Sequence, residues 1–95
     1  MKRYQRITTK QFRKDLKRLK KSGYPLHELG KVIDLLESGN VLPREYRDHA
    51  LQGLLQGSRE CHIGPDWLLR YTKDDDLLIL LLISTGDHRH VLGME

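Results

Sequence analysis

Cysteine is almost missing: Cys61 is the single one in 95 residues. That excludes an internal disulfide framework and suits a reducing compartment, so a cytoplasmic protein is expected. Long apolar runs are missing too. The longest, Leu77 to Ile83, falls far short of the ~20 residues that cross a bilayer, so no membrane partner is expected. The opening Met-Lys-Arg-Tyr-Gln-Arg has no apolar stretch of the signal-peptide kind. Phenylalanine and tryptophan occur once each, as Phe12 and Trp67, and neither repeats nor low-complexity segments are present. The length allows one domain, residues 1–95, around one modest core.

Acid is scarce at the front of the chain. Residues 1–21 carry ten Lys/Arg against one acid, Asp15, whereas residues 22–95 carry seven Lys/Arg against twelve Asp/Glu. A net charge of +4 therefore hides a basic segment, which suits a polyanion or an acidic protein partner. A well-solvated helix would look the same.

Arg3 to Thr8 alternates and predicts a first strand. Thr9 has the chemistry of an N-cap, and Phe12, Leu16 and Leu19 form the apolar stripe of a basic helix that Gly23 ends. Pro25 opens a second helix, with Leu26, Leu29, Ile33 and Leu36 as its buried stripe and Gly39 as its close. After an irregular stretch interrupted by Pro43, four strands are predicted: Leu51–Leu55, Ser58–Ile63, Asp66–Thr72 and Leu77–Ser84. The order β-α-α-β-β-β-β describes an α+β domain, a helical pair on one face of a mainly antiparallel sheet. Alternation puts Glu60 and His62 on one face and Arg59, Cys61 and Ile63 on the other; Trp67, Leu69 and Tyr71 likewise oppose Asp66, Leu68 and Arg70.

Chemistry-bearing side chains gather in the second half. His49, His62, His88 and His90 follow or end predicted strands, beside Arg47, Arg59 and Arg89, whereas His27 reads as a surface residue. Imidazoles exchange protons near neutral pH. RNA carries its own nucleophile, the 2′-hydroxyl, so base, acid and positive charge suffice to cleave it. A metal site is disfavoured, because Cys61 and His62 point to opposite faces and neither C-x-x-C nor H-E-x-x-H occurs. No cofactor is implied. Pattern alone favours the core for Trp67.

Leu42-Pro43, Tyr46-Arg47-Asp48-His49, Leu51-x-Gly53, Gly57, Arg59-Glu60-Cys61-His62-Ile63, Pro65-Asp66-Trp67-Leu68-Leu69, Tyr71 and Thr85-Gly86-x-His88 run nearly the length of the chain. Together they resemble the YafQ-type toxins of the RelE superfamily. The resemblance implies a RelE-like fold and a bacterial type II toxin, a ribosome-dependent, metal-independent endoribonuclease that cuts mRNA in the A site and halts translation. It implies as partners a cognate antitoxin, mRNA and the ribosome with its rRNA, and operator DNA only through the antitoxin complex.

Carried over position by position, His49, His62, Asp66 and His88 become the catalytic candidates. Trp67 falls on an active-site aromatic of the family, and Arg59, Arg89 and Leu92 join it as expected substrate contacts. His88 is then expected to protonate the leaving 5′-oxygen, Asp66 or His49 to assist removal of the 2′-hydroxyl proton, and His62 to position the phosphate. Two positions depart from the family pattern: Ser84 stands where Arg is common, and Leu92 stands near a usual Phe. Serine cannot supply a guanidinium's charge or fork of donors. Arg59, Arg70 or Arg89 could replace it in space. The alternative reading is a catalytically weak relative that acts as an antitoxin-binding module and operon co-repressor.

Overall fold

The computed structural model describes residues 3–93; the extreme ends of the expected 1–95 domain, residues 1, 2, 94 and 95, lie outside the described residues. Strand β1 (Gln5–Thr8) leads into helix α1 (Lys10–Lys21) and helix α2 (Leu26–Glu37). A 3-10 turn at Arg44–Tyr46 precedes the two-residue strand β2 (His49–Ala50). Strands β3 (Arg59–Gly64), β4 (Trp67–Asp74) and β5 (Ile79–Gly86) follow, and a five-residue helix α3 (His88–Leu92) completes the described chain. The sheet order is β1-β5-β4-β3-β2, with β1 parallel to β5 and every other neighbour antiparallel.

Local chemistry explains the helices. Thr9 caps α1, its hydroxyl accepting from the Phe12 amide at 3.0 Å, and so satisfies one of the four donors a helix start leaves free. Phe12 and Leu19 of α1 and Leu29, Val32, Ile33 and Leu36 of α2 are buried in a single core with Cys61, Trp67, Leu69, Tyr71, Leu80 and Leu82 of the sheet. Both helices therefore cover the same face. Asp15 lies on the same stripe as Phe12 and Leu19 and is fully buried.

Two expectations fail. Leu51–Leu55 is not a strand; the extended segment is His49–Ala50, and Gly53–Leu55 forms a 3-10 turn. Gly53 and Gly57 both take left-handed backbone, at φ +68 and +98, which breaks a ladder on either side of the exposed Leu54. The second is the absence of any predicted element after β5. The segment His88–Leu92 is helical, capped by Asp87, whose carboxylate accepts from the His90 amide at 2.8 Å. It packs on β4 and β5. Five residues are too few for helical periodicity to show.

Candidate active site

The sheet face away from the α1–α2 pair carries the reactive groups. In register, His49 of β2 stands opposite Glu60 of β3, Glu60 opposite Arg70 of β4, and Arg70 opposite Ser84 of β5. One residue pair along, His62 stands opposite Leu68. The alternation expected from the sequence therefore holds: Cys61 is fully buried under the helices and His62 points the other way. Burial pushes the Cys61 thiol far above its usual range. Iodoacetamide is accordingly expected to leave the folded protein unmodified at neutral pH and to alkylate it fully in urea, as mass spectrometry would show.

Three imidazoles converge. The His49 and His62 ring centroids are 6.3 Å apart, and those of His62 and His88 are 5.6 Å apart, edge to face. His88 enters from α3 and is fixed by Asp66, at the β3–β4 turn. One carboxylate oxygen of Asp66 accepts from the His88 backbone amide at 3.1 Å and meets ring Nδ1 at 2.5 Å. These contacts hold the Asp66 carboxyl below its usual range. They also settle the tautomer by geometry: Nδ1 carries the proton toward Asp66, and Nε2 is left for chemistry.

His49 is held differently. Its Nδ1 lies 2.7 Å from the Arg47 carbonyl, which can only accept, so Nδ1 bears a proton. Its Nε2 lies 2.9 Å from Glu60 Oε1. The same carboxylate oxygen is 3.7 Å from His62 Nε2. Glu60 is only 4% exposed, and its Oε2 has no hydrogen-bond partner among the described residues. His62 is held below the ordinary imidazole value, chiefly by desolvation, with Glu60 pulling it upward and His88, Arg47 and His49 adding to the lowering. A cleft of about 540 Å³ opens beside it, with Tyr46, Arg47 and Pro65 on its walls.

The remaining expected contacts divide. Trp67 is 6% exposed and part of the core, edge-to-face with Tyr24 and donating from Nε1 to Thr85 Oγ1 at 2.9 Å. A ring so enclosed offers no face on which a base can stack. Arg59 is engaged elsewhere. It stands opposite Tyr71, on the helix side of β3, and its guanidinium is held by both oxygens of Asp48 at 3.2 and 3.3 Å. That engagement, on the far face from His62, explains why it does not reach the imidazole cluster. Arg89 lies exposed on α3 beside His88, and Leu92 is half-buried at the end of the same helix.

Arg70 is the cation in the Glu60–Ser84 row; its Nε donates to Ser58 at 3.0 Å, while the buried Ser84 Oγ has no hydrogen-bond partner among the described residues. Sequence reasoning passed over Glu60, although alternation had already put it on the face of His62. Asp48 was missed as the pin of the His49 segment.

Among the described residues no three His, Cys, Asp or Glu side chains converge as a metal site.

A family model described as the bacterial toxin of a type II toxin–antitoxin system, YafQ, matches residues 4–93. The mRNA interferase toxin YafQ of Escherichia coli K12 is 37% identical over 84 residues, which cover 87% of this chain and 89% of that protein. The crystal structure of the E. coli DinJ-YafQ toxin-antitoxin complex aligns with a TM-score of 0.87 at 33% identity, over 96% of this chain and 99% of that one. A metal-bound toxin from Helicobacter pylori aligns with a TM-score of 0.86 at 40% identity, over 93% and 98%. The fold is that of a RelE-like toxin domain. The chain belongs to the YafQ family of type II toxins.

Proposed function

We propose that this protein is a ribosome-dependent endoribonuclease that cleaves mRNA in the A site, and that a cognate antitoxin restrains it. The observation that carries this reading is the cluster of His49, His62 and His88, backed by Glu60 and Asp66, with His62 on the wall of a cleft. Binding an antitoxin requires no such arrangement. The exposed lysines and arginines of α1 supply a cationic face for rRNA or for an acidic antitoxin segment, and such contacts weaken with salt.

In the proposed mechanism the 2′-hydroxyl attacks the adjacent phosphorus, leaving a 2′,3′-cyclic phosphate and a free 5′-hydroxyl. His88 Nε2 gives its proton to the departing 5′-oxygen, and the Asp66 carboxylate supports the imidazolium before transfer. Asp66 is committed to that ring, and His49 to the Arg47 carbonyl and Glu60. The base is therefore His62, which its surroundings keep neutral and which suits proton acceptance better than anchoring an anion. Glu60 stabilises the cation that forms on it. Arg70 supplies the fixed positive charge that Ser84 lacks.

The test is single-turnover cleavage of an mRNA programmed into ribosomes, beside the same mRNA without ribosomes, each with and without EDTA. A-site cuts that need ribosomes, survive EDTA and end in cyclic phosphate are expected. Cleavage of free RNA would discard the ribosome requirement, and loss with EDTA would return the metal. No cleavage, with antitoxin binding intact, would leave the binding-module reading. The pH profile adds a sharper check. As pH falls through the titration of His62 the base is lost, so the acid limb should lie below 6.5, the ordinary imidazole value. A limb at or above 6.5 would assign the base elsewhere.

A further inference from the structure

We infer that His90 is a positioning residue: its imidazole docks α3 onto the buried carboxylate of Asp15 in α1 and so sets His88 against His62. The inference rests on the reading of His88 as an active-site group.

Helix α3 has five residues, too few to persist by its own hydrogen bonds, so its placement depends on what it touches. On one side Asp66 holds His88. Two residues further along, which is about 200° around a helix at 3.6 residues per turn, His90 turns toward α1. Its Nε2 lies 2.6 Å from Asp15 Oδ1. The short helix is thus clamped between two aspartates, one at the mouth of the site and one beneath it.

Asp15 is built to receive this clamp. It is 0% exposed, and a carboxylate so placed is tolerated only when paired and hydrogen-bonded. Oδ1 also accepts from Gln11 at 2.8 Å and from Arg18 at 3.1 Å, and Oδ2 accepts from the Thr85 amide at 3.0 Å. One side chain of α1 therefore fastens the end of β5 and the middle of α3. The connection between them fits closely. A Cβ on Gly86, whose φ is +151, would fall 2.6 Å from Arg18 Nη2 and 3.1 Å from His90 Cδ2. The chain passes close to both side chains.

Without His90, α3 keeps the exposed Asp66 contact and its packing on β4 and β5 but loses its tie to α1. A small swing of α3 would then move Nε2 away from the departing oxygen, and errors of about 1 Å cost on the order of 10² in rate.

The experiment compares His90→Ala and His90→Gln in the ribosome cleavage assay. His90→Ala should lower the saturated single-turnover rate about 10–100-fold and leave the half-saturating toxin concentration unchanged. His90→Gln, which returns an N–H donor near the place of Nε2, should recover most of the rate. In protein carrying 13C-labelled histidine, the His88 ring signals should shift and narrow in the alanine variant and not in the glutamine variant. An unchanged rate with unchanged His88 signals overturns the inference. So does a lower melting temperature with His88 signals as in the parent, which would make His90 merely structural. The spectra need no catalysis: if the parent does not cleave but its His88 signals respond to His90→Ala, the nuclease reading fails and the clamp stands.

Discussion

His88→Ala is expected to lower ribosome-dependent cleavage about 10²–10⁴-fold, the range that a general acid contributes. The side chain is the proposed donor to the 5′-oxygen, and no neighbour can take its place. His62 is held neutral, and His49 is committed at both ring nitrogens. Asp66→Asn should cost less, because the amide still accepts from the His88 backbone but no longer supports an imidazolium. A substrate with a 5′-bridging thiolate leaves without a proton, so it should be cleaved almost equally by parent and His88→Ala. If the variant remains slow on that substrate, His88 acts on something other than the leaving group.

Asp48→Ala should remove about 2–3 kcal/mol of stability in urea unfolding, the scale of hydrogen bonds to a charged group. The Asp48 carboxylate takes the fork of Arg59 and the hydroxyl of the buried Tyr71. Burial, together with that carboxylate, raises the Tyr71 hydroxyl well above its usual range, so it remains a donor that must find an acceptor. Asp48 also precedes His49 directly, in a segment where Arg47 holds left-handed backbone at φ +48. Its removal should therefore slow cleavage as well, by freeing the Arg47 carbonyl and the His49 ring from their shared geometry. Tyr71→Phe keeps the packing and removes one hydrogen bond; it should lose stability alone. Equal stability of Asp48→Ala and the parent would mean that the segment is held by something else.

Much of this arrangement was legible in the residues. The strand alternation that separates His62 from Cys61 also separated it from Arg59, and Trp67 fell in phase with Leu69 and Tyr71, which are core residues. For both Arg59 and Trp67 the period of two gave the face, because side-chain direction in a strand is fixed by the backbone. Glu60 could have been found the same way. Asp15 was visible as the lone acid of a basic helix on the phase of Phe12 and Leu19, yet no local pattern names a partner 75 residues away. The same limit applies to α3, whose helical form follows from Asp87, Asp66 and Asp15 more than from His-Arg-His-Val-Leu. The stretch after β2 shows the reverse failure: the leucines of 51–55 suggested a strand where left-handed backbone at Gly53, and again at Gly57, breaks one.

The parallel pairing of β1 with β5 fixes when the molecule can come into being. Gln5 to Thr8 find their partners at Ile79 to Leu82, so an early part of the chain waits for a late one during synthesis. Pairings of such sequence separation form slowly, since the closure of a long loop must come first. Until β5 has left the exit tunnel, α1 has no complete sheet to cover and Asp15 has neither Thr85 nor His90 to hold. His88 emerges later still. The imidazole cluster therefore assembles only when nearly the whole described chain is free, and a ribosome making this protein carries no finished site while most of it is being translated.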